Sequence, residues 1–415
     1  MLQPGGKNWI EKYFSLVEKE LIDIDINPPK DLSLEEFLHA ELFQTGLAFG
    51  YPSQMLFSNQ VDQSSWTLDE KVKVLLFESL LHVYELQHEK IYKDEFIETL
   101  VDFYADYKES YSFNVFSFFV KESSSVKLEA ILSRRVHVKK TWINIFWVNY
   151  LSNSLVFLDV LAYRQFLISG NQLKENYEVY VNAILKTIIL ASYSDGSVDP
   201  EEKTIFDVFI ASANLPTEKH QYFKKLSIEG SLKLSDIELP EDLDTLFSFY
   251  LVDLAVLTVF SDLTAMDDEM VFLYELCNYL NVDTDYLHHS LVLIEGFVLE
   301  NNHKVSFLSE SSSYERLYQS FTNRWIKVLG RNKDKLVDEL KNNKELVTLV
   351  NKSLVEDLST EEKEKVKTQF KDLVKSMPAL AIFMLPGGAL LLPLITRIVP
   401  ALLPSSFKQN DLKKD

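Results

Sequence analysis

Two short stretches have residue types and spacing suited to holding a cation. Ser194-Asp195-Gly196-Ser197-Val198-Asp199-Pro200-Glu201-Glu202 and Ser261-Asp262-Leu263-Thr264-Ala265-Met266-Asp267-Asp268-Glu269 align without a gap. Their Ser, Asp and final Glu coincide, and apolar runs flank both. Carboxylate oxygens suit hard cations, calcium or magnesium above all. Asp195, Asp199, Glu202, Asp262, Asp268 and Glu269 are therefore a candidate divalent-cation set, provided the two turns face each other. The pattern is not an EF-hand. Counting from Asp195, Pro200 stands where that loop needs Gly and Phe206 where it needs its bidentate Glu. The competing reading is helix capping. Asp199 would be the N-cap, Pro200 the first helical residue and Glu202 the third, satisfying free amides and the dipole. Met266 holds the matching cap position of the second stretch and offers no acceptor.

Other constellations are weaker. Glu36-Phe37-Leu38-His39 and Glu85-Leu86-Gln87-His88 each put a carboxylate and an imidazole on one helix face. Two such pairs with two further glutamates build a di-iron site in a four-helix bundle, so a soluble di-iron enzyme is one alternative. His288 and His289 are adjacent and point to different sides of a helix. The chain has no phosphate-cradling Gly-rich loop, no His-Glu-x-x-His and no nucleophile elbow. The leading expectation is a protein that is not an enzyme.

These residues need elements to hold them, and the composition favours helices. The 415 residues are 47% hydrophobic and 13% aromatic, enough for a substantial core. Gly (11) and Pro (12) are scarce, so few backbone breakers interrupt the chain. The expected fold class is all-α, a multi-helix bundle. A formal net charge of −20 repels phosphate backbones and argues against nucleic acid as a partner. The run Arg134-Arg135-Val136-His137-Val138-Lys139-Lys140 is the one local basic exception, read as a solvated helix end. Cys277 is the single cysteine and sits among apolar residues, so it reads as a small buried hydrophobe. Met1 to Phe14 lacks the basic and apolar regions of a secretory signal, so the bulk of the chain is expected on the cytoplasmic side.

Five regions are expected: 1–175, an aromatic-rich helical domain; 176–300, a second helical domain carrying the duplicated acidic turns; 301–375, a linker and helical hairpin; 376–407, an apolar segment; and 408–415, a polar tail. Ser33 to Glu36, Thr67 to Glu70 and Ser359 to Glu362 are capping boxes ahead of apolar stripes. Trp142 to Leu167 is strongly apolar, yet Asn144, Asn149, Asn153, Asp159 and Arg164 would each be costly in hydrocarbon, so it reads as a buried bundle helix.

From Pro378 to Ile395 there is no charge at all. That length just matches the roughly 20 residues a span needs. Its leucines, isoleucines and phenylalanine contribute about −3 to −5 kcal/mol to insertion. Pro386, Gly387, Gly388 and Pro393 oppose it, each interior proline costing about 3 kcal/mol in a helix. A broken, re-entrant segment is thus favoured over a straight span. Lysines 363, 365, 367, 371 and 375 precede it, and Arg397, Lys408, Lys413 and Lys414 follow, so charge does not choose an orientation.

Leu190-Ala191-Ser192-Tyr193-Ser194-Asp195-Gly196-Ser197-Val198-Asp199-Pro200-Glu201-Glu202 resembles the first motif of the TerB-like tellurite-resistance family. That resemblance implies an all-helical, pseudo-duplicated domain with a metal-binding, membrane-associated role; Leu263 stands where its second motif has Gly. The prolines and glycines Pro378, Pro386, Gly387, Gly388, Pro393, Pro400 and Pro404, with Arg397 and the closing Leu403-Pro404-Ser405-Ser406-Phe407, resemble the transmembrane signature of the LETM family. Those are mitochondrial inner-membrane proteins linked to cation/proton exchange. In that family a large domain follows this segment; here the chain is read as stopping at Asp415 without it. The whole arrangement resembles the bacterial LETM-related biofilm-associated proteins. That resemblance implies membrane lipid and a protein partner or second copy as partners, and a place at the bacterial inner membrane. The rival expectation is a cation/proton transport component built from oligomerised C-terminal segments. Arg397 is the only charge in that segment, and transport usually needs intramembrane acids, which favours an anchor.

Overall fold

The computed structural model describes residues 2–24, 26, 28, 33–88, 91–105, 123–137, 153–170, 177–213, 215–241, 243–260, 267–301, 314–331, 333–375 and 391–402. Among these the regular elements are all helical and no strand occurs, as the composition requires.

The N-terminal part comprises α1 (Trp9–Val17), α2 (Leu34–Gln44), α3 (Leu68–Gln87), α4 (Lys93–Ala105), α5 (Ser124–Val136) and α6 (Phe157–Ser169). The expected boxes start α2 and α3: Thr67 N donates to Glu70 Oε2 at 2.7 Å and Glu70 N to Thr67 Oγ1 at 3.3 Å. Every residue from Val72 to Tyr84 is buried, which makes α3 the axis on which α5 and α6 pack. Glu78, the one acid in that run, accepts from the backbone amides of Leu56, Phe57 and Ser58 at 2.8–3.0 Å and from the Tyr13 hydroxyl at 3.1 Å. Asp159 on α6 accepts from Arg135 Nε at 2.7 Å and Nη2 at 2.5 Å, and from Tyr104 at 3.0 Å. Arg135 is buried in that pair, so the Arg134–Lys140 run does not present an unbroken basic face; Lys139 and Lys140 lie outside the described residues. Of the apolar run expected as a bundle helix, the described part is α6, buried from Phe157 to Arg164. Arg164 pairs there with Glu35 and Asp244.

The middle part comprises α7 (Tyr177–Ser192), α8 (Pro200–Ser212), α9 (Thr217–Glu229), α10 (Thr245–Val259), α11 (Asp267–Tyr279) and α12 (Thr284–Asn301). Equivalent helix ends recur at one spacing: Ser192 and Val259, Pro200 and Asp267, Ser212 and Tyr279, Thr217 and Thr284 are each 67 residues apart. The packing recurs too. α7 and α10 lie against each other, α8 packs on both, and α11 packs on both. α2 and the 3-10 turn Leu47–Phe49 bring the N-terminal part onto this unit: α2 packs on α10 and α12, and Tyr250 donates to Ala48 O at 3.0 Å.

The C-terminal part comprises α13 (Tyr314–Arg331), α14 (Lys333–Asn342), α15 (Lys344–Ser353), α16 (Thr360–Lys375) and α17 (Leu391–Leu402). The expected helical hairpin turns at Asn342-Asn343, the α14–α15 corner, where Asn343 caps α15 by accepting from Leu346 N at 3.1 Å. Ser359 and Glu362 cap α16 reciprocally, at 2.9 and 3.2 Å. α13 joins this part to α12 through Glu295, which accepts from Ser320 at 2.8 Å and Arg324 at 3.1 Å.

Candidate functional site at the acidic turns and the C-terminal helix

The first acidic turn connects α7 to α8. Gly196 takes φ +90°, a conformation that disfavours any side chain. Asp195 is exposed and accepts from Ser197 N at 2.9 Å and Ser197 Oγ at 3.1 Å. Asp199 is the exposed N-cap of α8, with Pro200 opening the helix. Glu202 reaches back to accept from Asp199 N at 2.9 Å. The capping geometry expected from the sequence is therefore present at the first turn.

Capping does not account for the whole environment of Glu202. Its side chain is only 6% exposed, and Glu269, its equivalent 67 residues later, is 5% exposed. Burial pushes the Glu202 pKa up to about 8, and the carboxylates of Asp199, Glu269 and Asp195 push it further in the same direction. The hydrogen bond from Asp199 N opposes this without reversing it. Glu269, near the start of α11, adds to the upward push; residues 261–266 of the second turn lie outside the described residues. Asp268 is exposed on α11, and Asp262 lies outside the described residues. Among the described residues, no group of three or more His, Cys, Asp or Glu is disposed to hold a metal ion. Glu36, His39 and His88 of the other candidate pairs are engaged elsewhere. Glu36 bonds the Ser33 amide and hydroxyl in its capping box, whereas His39 bonds buried Asp253 at 2.6 Å. His88 stacks on Tyr84 with ring centres 3.9 Å apart, and its Nδ1 lies 2.8 Å from Tyr84 O. Cys277 is buried, and burial pushes its thiol up to about 12, so it is no thiolate nucleophile.

Beside the first turn lies a cleft of about 330 Å³ between the end of α7, the chain after α9, and α11. Its shape depends on Gly230, which takes φ +59° and would put a Cβ 2.4 Å from the Tyr193 ring. Tyr193 in turn donates to Ser227 O at 3.1 Å or Ile228 O at 3.0 Å, stitching the end of α9 to α7.

Sequence reasoning missed the best-formed polar cluster. Asp253 on α10 accepts from Ser290 at 2.6 Å and from Tyr286 at 3.0 Å, and faces His39 Nε2 at 2.6 Å. All four side chains are buried, and they tie α2 to α10 and α12. The available signal was Asp253 itself, a lone acid in the run Tyr250-Leu251-Val252-Asp253-Leu254-Ala255-Val256.

At the C-terminus, Pro378, Pro386, Gly387, Gly388 and Pro404 lie outside the described residues. Of the apolar segment expected at 376–407, the described part is α17. α17 packs on α13, α15 and α16, with Leu394, Ile395, Ile398 and Val399 fully buried. Pro393 and Arg397 fall on its exposed side, and Pro400 is half-buried. The cause is periodicity: those four apolar residues form one stripe at helical spacing. At roughly 1.5–3 kcal/mol each when buried, the four together are worth more than insertion would give the whole segment. At about 1.5 Å per residue, the 12 residues of α17 reach about 18 Å, short of a hydrocarbon core of about 30 Å. Among the described residues no helix is long and apolar enough to cross a membrane.

Residues 358–415 match the family model described as LETM1-like, RBD. The match takes in α16, α17 and the proline-punctuated stretch between them. No curated protein and no solved structure matches the chain. The C-terminal part is accordingly LETM-related.

Proposed function

We propose that the chain is a non-enzymatic, membrane-associated helical protein of the bacterial cell envelope, linked to surface growth, with its bulk on the cytoplasmic side of the inner membrane. The single observation that carries this reading is the LETM1-like match at residues 358–415, which covers an uncharged stretch from Pro378 to Ile395. Residues 378–390 provide the contact with lipid, while α17 holds the segment to the protein. This division rests on the buried stripe of α17 and on the uniformly apolar composition before it.

A divalent cation, calcium or magnesium, at the acidic turns is part of the same proposal. Glu202 and Glu269 are its inner carboxylates, with Asp195, Asp199, Asp262 and Asp268 around them. The TerB-like resemblance of the first turn supports it, as do the recurrence of helix ends 67 residues on and the buried, mutually repelling carboxylates. A cation there would offset the burial, and the lesser repulsion, that lift the Glu202 pKa.

Co-flotation of the full chain with anionic lipid vesicles tests the membrane reading. The wild-type chain floats, and a variant with Leu380, Ile382, Phe383 and Leu385 changed to asparagine stays at the bottom of the gradient. Equal behaviour of the two chains contradicts it. Calcium or magnesium is expected to raise Tm in the wild type and not in Glu202→Gln; no shift in the wild type removes the cation from the account.

A further inference from the structure

The cleft beside the first acidic turn has an internal counterpart, and the two differ in what fills them. Gly230 and Leu232 line the cleft; the residues 67 positions later are Phe297 and Leu299. Phe297 is buried and its ring lies 4.9 Å from that of Phe49, in the N-terminal turn laid on the second half. Leu257 is fully buried where the cleft has half-buried Leu190. Val208 is buried where the cleft has exposed Glu275. In the second half, then, the chain supplies its own aromatic cover.

The cleft, by contrast, carries the signs of a surface meant for an outside cover. Val271 on the cleft wall is 55% exposed, and Ile228, two residues before Gly230, is 77% exposed. Asp268 and Glu275 stand exposed on the rim, and neither has an ion-pair partner among the described residues. The cleft's 330 Å³ is at the bottom of the range for small-molecule sites, about 300–1,000 Å³, and suits one or two side chains better than a cofactor. Exposed carboxylates around an apolar pocket favour a partner that carries positive charge beside its anchor.

We infer that this cleft docks a segment of a partner protein that presents one large apolar side chain flanked by lysine or arginine. The apolar side chain takes the place that the Phe49–Phe297 pair fills in the second half, and the basic residues meet Asp268 and Glu275.

The test is fluorescence anisotropy of a short labelled peptide of lysine, leucine and phenylalanine, titrated with the full-length chain. The same peptide with glutamate for lysine is the control. Val271→Asp and Glu275→Lys alter only exposed side chains, and unchanged thermal melts establish that each variant is folded. Each is expected to weaken binding by at least about tenfold, as loss of an interface anchor does. Glu361→Lys, at an exposed position of α16, is expected to change it by less than about twofold. Absence of binding, equal binding of the glutamate peptide, or equal losses in all three variants would overturn the inference, the last by reducing the effect to bulk charge.

Discussion

The two halves of the middle unit share a helical frame and differ in what surrounds it. In the first half α9 is largely solvated, with Phe223 its one buried side chain, and the turn before α8 is exposed. In the second half α10 is buried from Leu246 to Val259, and α12 is clamped by α2 on one side and α13 on another. The frame follows from helix periodicity and from breaks at matching positions. The environment follows from which half the N-terminal and C-terminal parts cover. The covered half holds the chain's parts together through Asp253 and Glu295, and the other half leaves Asp195 and Asp199 of its acidic turn exposed.

The comparison breaks first at Asp253. Asp253→Ala strands His39, Tyr286 and Ser290 without their shared acceptor, and is expected to cost about 3–5 kcal/mol in urea unfolding. Asp195→Ala, in the exposed turn, is expected to stay within about 0.5 kcal/mol. Similar costs for the two would mean the halves are equally embedded. Ile398→Ala removes a fully buried side chain from α17 and is expected to cost the C-terminal part about 2–5 kcal/mol. A loss near zero by the same measurement would show that α17 is not docked. Gly230→Ala forces a Cβ onto the Tyr193 ring in a left-handed conformation, at an expected cost of about 1–3 kcal/mol.

A smaller and more specific effect concerns pH. Burial raises the folded-state pKa of Glu202 from 4.5 to about 8, so the fold prefers the neutral acid. The resulting stabilisation is complete below about pH 4.5 and is lost as the pH climbs towards about 8. Glu202→Gln keeps a neutral group there. In metal-free buffer its Tm is expected to fall less than the wild type's between those limits, and parallel curves would remove Glu202 as the titrating group.

Much of the frame was legible in the sequence, because capping boxes and apolar stripes are local signals. Ser33, Thr67, Asp199 and Ser359 open helices as their neighbours predict. The spacing of the two acidic turns in the chain also pointed to the equivalent helix starts at Pro200 and Asp267, whereas the burial of Glu202 and Glu269 was not read from it. What was not legible is long-range. Nothing near His39 in the chain points to Asp253, 214 residues away. Its partner could be sought only by asking which acids sit alone in apolar runs, a question that also finds Glu78, Asp159 and Glu295. The docking of α17 was hidden for a related reason. Composition over 28 residues from Met377 to Pro404 looks uniformly apolar, whereas docking depends on the face that Leu394, Ile395, Ile398 and Val399 share.

Depth measurement on the two ends of that segment tests the central claim most directly. In a Cys277→Ser background, an environment-sensitive fluorophore is attached at Phe383→Cys or at Thr396→Cys, and vesicles carry a quencher on their acyl chains. The account predicts strong quenching of the label at 383 and almost none at 396. Quenching at neither position would contradict lipid contact, and equal quenching at both would contradict the docking of α17 on the protein.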